Sequence, residues 1–294
     1  MFKIVNKQII NREIKRIDIF AEAVARSVRP GQFVMVAVDD QTEQIPLTVV
    51  ESDEKRGTIS LIVHEIGPSS RKLASRSINE EIFLVQGPLG NPATIEKKGL
   101  VVTIATGIGT AQILPLCRAL KKVGNKILGI IGAKTKSALM LESQMRVVCD
   151  EIFMTTRDGT YQRKGLVTDV LKGILEKYQI GSVYATGSVD MMQAVSGMTQ
   201  PKAIPTFVYV NPFMVCGNGL CGCCRVKVNN EIRLACTEGT EFDGHAVDYD
   251  YLRQRMNHLK EMDEWGNLKS QHSPKKSESS IFRKLFWGTP SAKV

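Results

Sequence analysis

The chain has 294 residues, 43% of them hydrophobic, which is enough apolar material for two or three domains. Its first residues mix lysine and asparagine with single apolar residues, and no apolar run is long enough to span a bilayer, so we expect a cytoplasmic protein. The net charge of +9 is scattered along the chain and partly held in residues 270–294, which argues against nucleic-acid binding.

Residues 1–97 are predicted to form a small β-barrel domain. Short β-rich runs alternate there with turns of Gly, Pro and charged residues. These runs cover residues 14–24, 31–39, 45–52, 57–67 and 80–90. Their even spacing is typical of a barrel.

Residues 98–212 are predicted to form an α/β domain. The expected strands are residues 99–107, 126–134, 151–156 and 182–187, and the expected helices are 111–124, 166–178 and 190–198. Strands that are apolar throughout and alternate with amphipathic helices predict a parallel sheet covered on both faces.

Gly107 and Gly109 open the first helix of this α/β domain. A turn of this kind lets a pyrophosphate approach the backbone amides at the helix N-terminus. The full three-glycine fingerprint of dinucleotide-binding sites is absent, and a Gly-x-Gly pair also occurs in ordinary turns between a strand and a helix. The residues alone leave both interpretations open.

Four cysteines near the C-terminus form the strongest signal in the chain. Cys216, Cys221 and Cys224 have the Cys-x4-Cys-x2-Cys spacing of plant-type [2Fe–2S] clusters, and Cys236 supplies a fourth thiolate. Glycines in the loop would let its backbone wrap closely around inorganic sulfur. The sequence therefore predicts that residues 213–268 form a small [2Fe–2S] domain that ends in a terminal helix.

A zinc site is the alternative, since four thiolates also bind zinc tetrahedrally. A zinc ribbon usually pairs two Cys-x2-Cys knuckles, and only one is present, so we favour iron–sulfur. Cys223 breaks the spacing and is interpreted as a non-ligand. Cys117 and Cys149 are interpreted as buried small hydrophobic residues.

The last segment, residues 269–294, is basic and poor in hydrophobic residues, which predicts a disordered tail. Residues 281–287, IFRKLFW, suggest one amphipathic turn that docks on a partner or on an anionic membrane surface.

The order of motifs resembles the ferredoxin–NADP reductase superfamily. It runs through IPLT, Gly-x-Ser-Ser, GPLGNP, TGIGTAQ, GSVDMM and the cysteine-rich end. Over residues 1–265 the chain is similar to the branch that holds the dihydroorotate dehydrogenase electron-transfer subunit and the small subunit of NADH-dependent reduced ferredoxin:NADP oxidoreductase. Within that branch RDGTYQRKGLVTDVL and EFDGHAVDYDYL resemble the second group more closely.

The resemblance implies an FAD site on the barrel. Its residues would be Pro46, Leu47, Thr48, Ile62, Val63, His64, Gly67, Ser69 and Ser70. The Thr48 hydroxyl would lie near the flavin ring or ribityl chain, and the two serines would hold the pyrophosphate. His64 has an alternative interpretation as a strand residue that faces solvent.

The resemblance also implies a nicotinamide nucleotide site on the α/β domain. Its residues would be Gly107, Ile108, Gly109, Asp158, Gly187, Asp190 and Met191. Asp158 would accept hydrogen bonds from the adenosine ribose, which favours NAD(H). Arg157, Arg163 and Lys164 lie nearby and leave NADP possible.

The family implies that electrons pass between nicotinamide, FAD and the cluster to a larger flavin and iron–sulfur subunit like the glutamate synthase small subunit, with ferredoxin as an indirect partner. A dihydroorotate dehydrogenase partner is the alternative, and a zinc-stabilised, non-catalytic adaptor is the alternative from another class. The cofactors carry the chemistry, so no catalytic side chain is expected. Cys216 departs from the ferredoxin-linked group, which often has aspartate there.

Overall fold

The computed structural model describes residues 2–258. Met1–Arg253 form one compact unit, and of the second unit, Gln254–Val294, only residues 254–258 are described. Among the described residues, no helix is long and apolar enough to cross a membrane. The tail and the end of the predicted terminal helix lie outside them.

Two large sheets and a hairpin make up the strand content of the described chain. The strands are β1 (Phe2–Ile9), β2 (Ile14–Phe20), β3 (Phe33–Ala37), β4 (Ile45–Asp53), β5 (Thr58–His64), β6 (Glu81–Ile82), β7 (Leu84–Leu89), β8 (Leu100–Thr106), β9 (Lys126–Ala133), β10 (Glu151–Thr156), β11 (Arg163–Lys164), β12 (Ser182–Thr186), β13 (Thr206–Tyr209), β14 (Arg225–Val228), β15 (Glu231–Leu234) and β16 (Glu241–Asp243). The helices are α1 (Glu22–Ser27), α2 (Pro68–Ser75), α3 (Gly109–Lys122), α4 (Glu142–Val148), α5 (Val167–Lys177), α6 (Val189–Thr199), α7 (Ala235–Glu238) and α8 (residues 249–258). Short 3-10 turns cover Lys136–Ala138 and Gln200–Lys202.

The first sheet is antiparallel, with the order β6-β1-β2-β5-β4-β3-β7. The strands at its two edges, β6 and β7, are separated in the chain by Phe83 alone. Since one residue cannot cross a flat seven-stranded sheet, the sheet curls until its edges approach each other. Its interior is apolar, with Val34, Ile59 and Leu61 completely buried, which confirms the predicted barrel.

The second sheet has the order β11-β10-β9-β8-β12-β13-β16, and only β16 runs antiparallel to its neighbour. Helix α3 packs against α4, and α5 packs against α6. Strands β9, β10 and β11 follow β8 on one side of the sheet, whereas β12 and β13 lie on its other side, so the strand order reverses between β8 and β12. In open α/β sheets such a switch point forms the crevice where ligands bind.

The barrel and the parallel sheet pack together through helix α3. Val50 and Ile62 of the barrel share a buried cluster with Leu114 and Cys117 of α3. At the rim of this contact, Arg118 Nη1 lies 3.4 Å from Glu51 Oε1. Helix α3 of the α/β domain therefore packs against strand β4 of the barrel.

Several elements differ from the sequence prediction, among them α1, α4, β13 and β16. Residues 22–24 were expected to continue a β-rich run but belong to α1, since the Ala21 N–H is bound by the Gly57 carbonyl and good helix formers follow. Helix α4 was not predicted, because its seven residues carry only a short apolar pattern. Strand β16 was missed, because it joins the second sheet only after the cysteine-rich segment.

Candidate functional site

The cysteine loop, residues 216–224, follows strand β13 of the second sheet. Its glycines Gly217, Gly219 and Gly222 have φ values of 70°, 85° and 65°, a region that glycine enters without steric cost. The Cys221 N–H points to Cys216 Sγ at 3.4 Å. These turns fold the backbone tightly between the first and third cysteine of the motif.

Two contacts each join a pair of the four cysteines. Cys216 Sγ accepts the hydrogen bond from the Cys221 backbone N–H, whereas Cys224 Sγ and Cys236 Sγ are 3.2 Å apart. Cys236 comes from helix α7, which follows the β14–β15 hairpin. The β14–β15 hairpin therefore reverses the chain direction and brings Cys236 next to Cys224.

The two pairs differ in environment. Burial and the neighbouring Cys224 thiol raise the pKa of Cys236 to about 12. Burial also opposes ionisation of Cys221, but hydrogen bonds from Cys223 and Cys216 outweigh it and lower the pKa of Cys221 to about 7. Cys221 is exposed and its neighbour Leu220 is 84% exposed, so this end of the loop faces outward.

The donor set fits an iron–sulfur cluster. The backbone N–H groups of Cys221 and Cys223 are directed at the sulfur atoms of Cys216 and Cys221, the pattern that stabilises thiolates bound to metal. Within residues 2–258, no three Cys, His, Asp or Glu side chains gather around a single point that could hold one metal ion.

The cysteine loop packs on the barrel. A Cβ built on Gly217 would lie 2.5 Å from Met35 Cγ and 3.0 Å from Leu89 Cδ1, so only glycine allows this approach. Met35 is the register partner of Pro46 on β4. The loop therefore lies against the strand beside the predicted flavin-binding residues Pro46, Leu47 and Thr48.

The other predicted flavin residues lie on β5 and at the start of α2. Ile62 and Val63 are buried, and half-exposed His64 has Nε2 3.7 Å from Glu13 Oε2. The Ser70 hydroxyl accepts a hydrogen bond from the Gly67 N–H at 3.0 Å and lies 3.0 Å from the Gly67 carbonyl. Their role in binding FAD stays a prediction.

The predicted nucleotide glycines meet at the switch point. A Cβ on Gly109 would lie 2.8 Å from the Thr186 carbonyl oxygen, and a Cβ on Gly187 would lie 2.0 Å from Thr106 Oγ1. Gly107 has a φ of 55° and no heavy atom near its Cβ direction, so space is open above it. Ile108, between the two glycines of the turn, is 38% exposed.

The predicted acidic residues of the nucleotide site both have hydrogen-bond partners within the chain. Asp158 follows β10, two strands from β8, and its Oδ1 accepts hydrogen bonds from the Thr160 N–H and hydroxyl at 3.0 and 2.7 Å. These bonds lower the pKa of Asp158. Asp190 Oδ1 accepts from Arg253 Nε at 3.0 Å. Met191, next along α6, is buried.

One polar contact at the switch point was missed by the sequence interpretation. Thr186 Oγ1 donates to Gln112 Oε1 at 2.6 Å, and Gln112 Nε2 donates to Asn211 Oδ1 at 2.6 Å. Asn211 leads into the cysteine loop, so this chain of hydrogen bonds ties the predicted nucleotide site to it. Only the position of Gln112 at the opening of α3 could have indicated it.

Comparisons with known proteins agree with this geometry. The family described as "Iron-sulfur cluster binding domain of dihydroorotate dehydrogenase B" matches residues 211–248. The structure reported as the ferredoxin reductase in carbazole 1,9a-dioxygenase is 17% identical and superposes with a TM-score of 0.57, over 69% of this chain and 65% of its own. The fold and the cysteine loop define an iron–sulfur protein with a ferredoxin reductase-like fold.

Two further similarities extend over nearly the whole chain. The Thermotoga maritima protein named "Dihydroorotate dehydrogenase B (NAD(+)), electron transfer subunit homolog" is 34% identical over 89% of this chain and 92% of its own length. The structure reported in "Insights into flavin-based electron bifurcation via the NADH-dependent reduced ferredoxin-NADP oxidoreductase structure" is 32% identical, with a TM-score of 0.85 over 92% of this chain and 98% of that chain. The chain belongs to the family of dihydroorotate dehydrogenase B electron transfer subunits and their homologs.

Proposed function

We propose that this chain is the electron-transfer subunit of an oxidoreductase, and that it moves electrons between a nicotinamide nucleotide, FAD and a [2Fe–2S] cluster to a partner subunit. In this proposal residues 1–97 bind FAD, residues 98–212 bind the nucleotide and residues 213–268 hold the cluster. When bound, FAD exchanges a hydride with nicotinamide as an electron pair, and the cluster carries one electron at a time.

The role of the chain's own residues is then to bind the cofactors and to orient them. Gly107 leaves room for a pyrophosphate at the start of α3, where backbone N–H groups favour an anion, and Gly109 lets the helix begin close to Thr186. Strand β4 offers Leu47 and Thr48 to the flavin beside that crevice. No side chain of this chain needs to move a proton, since hydride transfer requires none from the protein.

Cys216, Cys221, Cys224 and Cys236 would hold the cluster. The observation that carries the proposal is the contact of Gly217 with Met35, the register partner of Pro46. It places the cysteine loop directly on the barrel strand next to the predicted flavin strand. That closeness gives electrons a short path from one cofactor to the other.

An absorption spectrum of the full chain, purified without oxygen, tests this proposal. We expect flavin bands together with broad charge-transfer absorption, about two irons per chain, and bleaching of both on addition of a reduced nicotinamide nucleotide. EPR of the reduced protein should then show the cluster. A colourless preparation that contains zinc would contradict the proposal and favour the non-catalytic adaptor.

We further propose that the partner is a larger flavin and iron–sulfur subunit resembling the glutamate synthase small subunit, in a bifurcating complex that also uses ferredoxin. The likeness to the bifurcating oxidoreductase over 98% of that chain supports this partner. The name of the Thermotoga maritima relative supports the alternative, a dihydroorotate dehydrogenase.

Copurification from the native cell separates these two partners. The associated chain is identified by mass spectrometry, and the complex is assayed for ferredoxin-dependent NADP reduction and for dihydroorotate oxidation. Dihydroorotate oxidation without any response to ferredoxin would overturn the bifurcating assignment and leave the electron-transfer role intact.

A further inference from the structure

Two buried cysteines that the proposed function does not use lie on the same face of the parallel sheet. Cys117 is on helix α3 and is completely buried, and Cys149, which directly follows helix α4, is 8% exposed. Both belong to the same buried apolar cluster. Their burial confirms the interpretation from sequence, and the structure adds that the two thiols are neighbours.

Contacts with the sheet place the two sulfur atoms beside each other. Cys117 Sγ lies 3.4 Å from Thr103 Oγ1 on β8. A Cβ built on Gly129 of β9 would lie 2.7 Å from Cys149 Sγ. Thr103 and Gly129 are register partners, so they point to the same face of the sheet, and neighbouring strands are about 4.8 Å apart. Because Gly129 has no side chain, the Cys149 thiol fills that space next to the Cys117 thiol.

The two thiols differ in how readily they ionise. Burial raises the pKa of Cys117 well above its ordinary value, and a hydrogen bond with the Cys149 thiol raises this pKa further. The same hydrogen bond outweighs burial at Cys149 and lowers the pKa of that thiol, and the charge of nearby Lys121 acts in the same direction. Because the thiolate is the nucleophilic form of cysteine, Cys149 is the thiol that reacts first with an oxidant.

We propose that Cys117 and Cys149 form a redox-active thiol pair, which hydrogen peroxide converts to a disulfide between helix α3 and the residue after α4. The two sulfur atoms lie over adjacent strands, and a disulfide spans a similar distance, about 3.5–4.5 Å between its Cβ atoms. In reducing compartments, disulfides are usually transient and respond to oxidants. The inference goes beyond the proposed function and does not depend on it.

The reaction has two steps that balance. The Cys149 thiolate attacks one oxygen of the peroxide, so a sulfur–oxygen bond forms, the oxygen–oxygen bond breaks and the second oxygen leaves as water. Cys117 sulfur then attacks the sulfur of the Cys149 sulfenic acid, so the disulfide bond forms and the hydroxyl group leaves as water with the Cys117 proton. The two sulfur atoms together lose two electrons, which the peroxide gains.

Peptide mapping of the full chain tests this proposal. The protein, purified without oxygen, is treated with hydrogen peroxide, unfolded with an alkylating agent that blocks free thiols, and digested with trypsin without reductant. We expect a disulfide-linked pair of peptides, residues 99–118 and 147–157, in most chains, and its loss after reduction. Alkylated thiols at both Cys117 and Cys149 after peroxide treatment would overturn the proposal. A sulfinic acid at Cys149 without the linked pair would overturn it as well, since Cys117 would have failed to react.

Single replacements test the order of the two steps. In Cys117→Ser, or in Cys117→Ala if the serine variant folds poorly, peroxide should leave a sulfenic acid at Cys149, which dimedone traps. In Cys149→Ser, dimedone labelling of Cys117 should be at least about tenfold slower, because that thiol is completely buried. Cys223→Ser is the matched control and should keep the linked peptides. Equal labelling of Cys117 and Cys149, or loss of the linked peptides in the Cys223 variant, would refute the pair.

Hydrogen exchange measures what the disulfide does to the fold. Helix α4 has only seven residues, so its stability depends on packing against its neighbours rather than on its own hydrogen bonds. A covalent link from Cys149 to α3 should restrict local opening of α4 and slow amide exchange in residues 145–149 at least about tenfold. Cys117→Ser, treated with peroxide in the same way, should show no such slowing. Unchanged exchange in chains that carry the linked peptides would mean that the disulfide does not tie the two helices together, and would overturn the proposal.

Discussion

Cys224 Sγ and Cys236 Sγ lie 3.2 Å apart although the two residues are twelve positions apart in the chain. Cys236→Ser should therefore break one thiol pair and abolish the broad cluster absorption while the flavin bands remain. Iron content and the visible spectrum measure this. Cys223→Ser is the matched control and should keep the iron, since Cys223 stands outside the ligand spacing. Loss of iron in the Cys223 variant alone would reverse the ligand assignment.

Cys216→Asp should keep the cluster and raise its reduction potential. An oxygen ligand donates less electron density to iron than a thiolate, so the reduced cluster becomes easier to form. A redox titration followed by EPR gives the potential of each variant. An unchanged potential would mean that position 216 does not ligate the cluster.

Gly187→Ala should destabilise the switch point. The glycine has a φ of 152°, and a Cβ would lie 2.0 Å from Thr106 Oγ1, so the strand ends must move apart. We expect the free energy of unfolding to fall by about 1–3 kcal/mol and nucleotide affinity to fall with it. Urea denaturation and nucleotide titration measure the two effects.

Gly197→Ala is the control for that experiment. Gly197 lies on α6, and no heavy atom is within 4 Å of its Cβ direction. Replacing it should leave the protein as stable or raise its stability by up to about 1 kcal/mol, because alanine favours helix. If both variants were equally stable, the crowding at Gly187 would not matter.

Ser69 and Ser70 should behave differently when replaced by alanine. Ser70 holds the start of α2 through Gly67, so Ser70→Ala should lower the stability of the FAD-free protein by about 1 kcal/mol. Ser69 forms no side-chain hydrogen bond to any residue in the described part of the chain. Ser69→Ala should weaken FAD binding with little change in the stability of the FAD-free protein. Unchanged FAD affinity in Ser69→Ala would remove Ser69 from the pyrophosphate site.

Glu241 should make stability depend on pH. Burial raises the pKa of this carboxyl above its ordinary value of 4.5, although Tyr209 and Thr94 donate hydrogen bonds to it. The folded state thus holds this proton more tightly than the unfolded state does, so the contribution to stability is complete below pH 4.5 and is lost as the pH rises through the folded pKa.

Glu241→Gln removes that proton and keeps an acceptor for the Thr94 N–H. Relative to this variant, the unmodified protein should lose stability as the pH rises from about 4.5 towards neutrality. Urea denaturation at several pH values gives the difference. A difference that stays constant with pH would mean that Glu241 titrates at its ordinary value.

The sequence indicated the features whose signal is local. Cys216, Cys221 and Cys224 lie within nine consecutive residues, and Gly107 and Gly109 lie within three. The local backbone conformation and the ligand spacing at these positions require glycine and cysteine, so the residue types alone indicate the structure. The barrel and the parallel sheet were predictable for a similar reason, since hydrophobic periodicity reports burial directly.

Features that depend on distant partners could not be predicted. The link from Thr186 through Gln112 to Asn211 joins residues up to 99 positions apart. Asp158 is predicted as a ribose ligand, and the hydrogen bonds that its Oδ1 accepts from Thr160 became known only from the structure.

The return of Cys236 also has a consequence for maturation. Three of the four thiols belong to a loop that rests on the barrel through Gly217, whereas the segment after Cys236 continues into β16 of the parallel sheet. A chain in which the β14–β15 hairpin has not yet formed would keep Cys236 away from Cys224. We therefore expect cluster insertion to follow the formation of this hairpin.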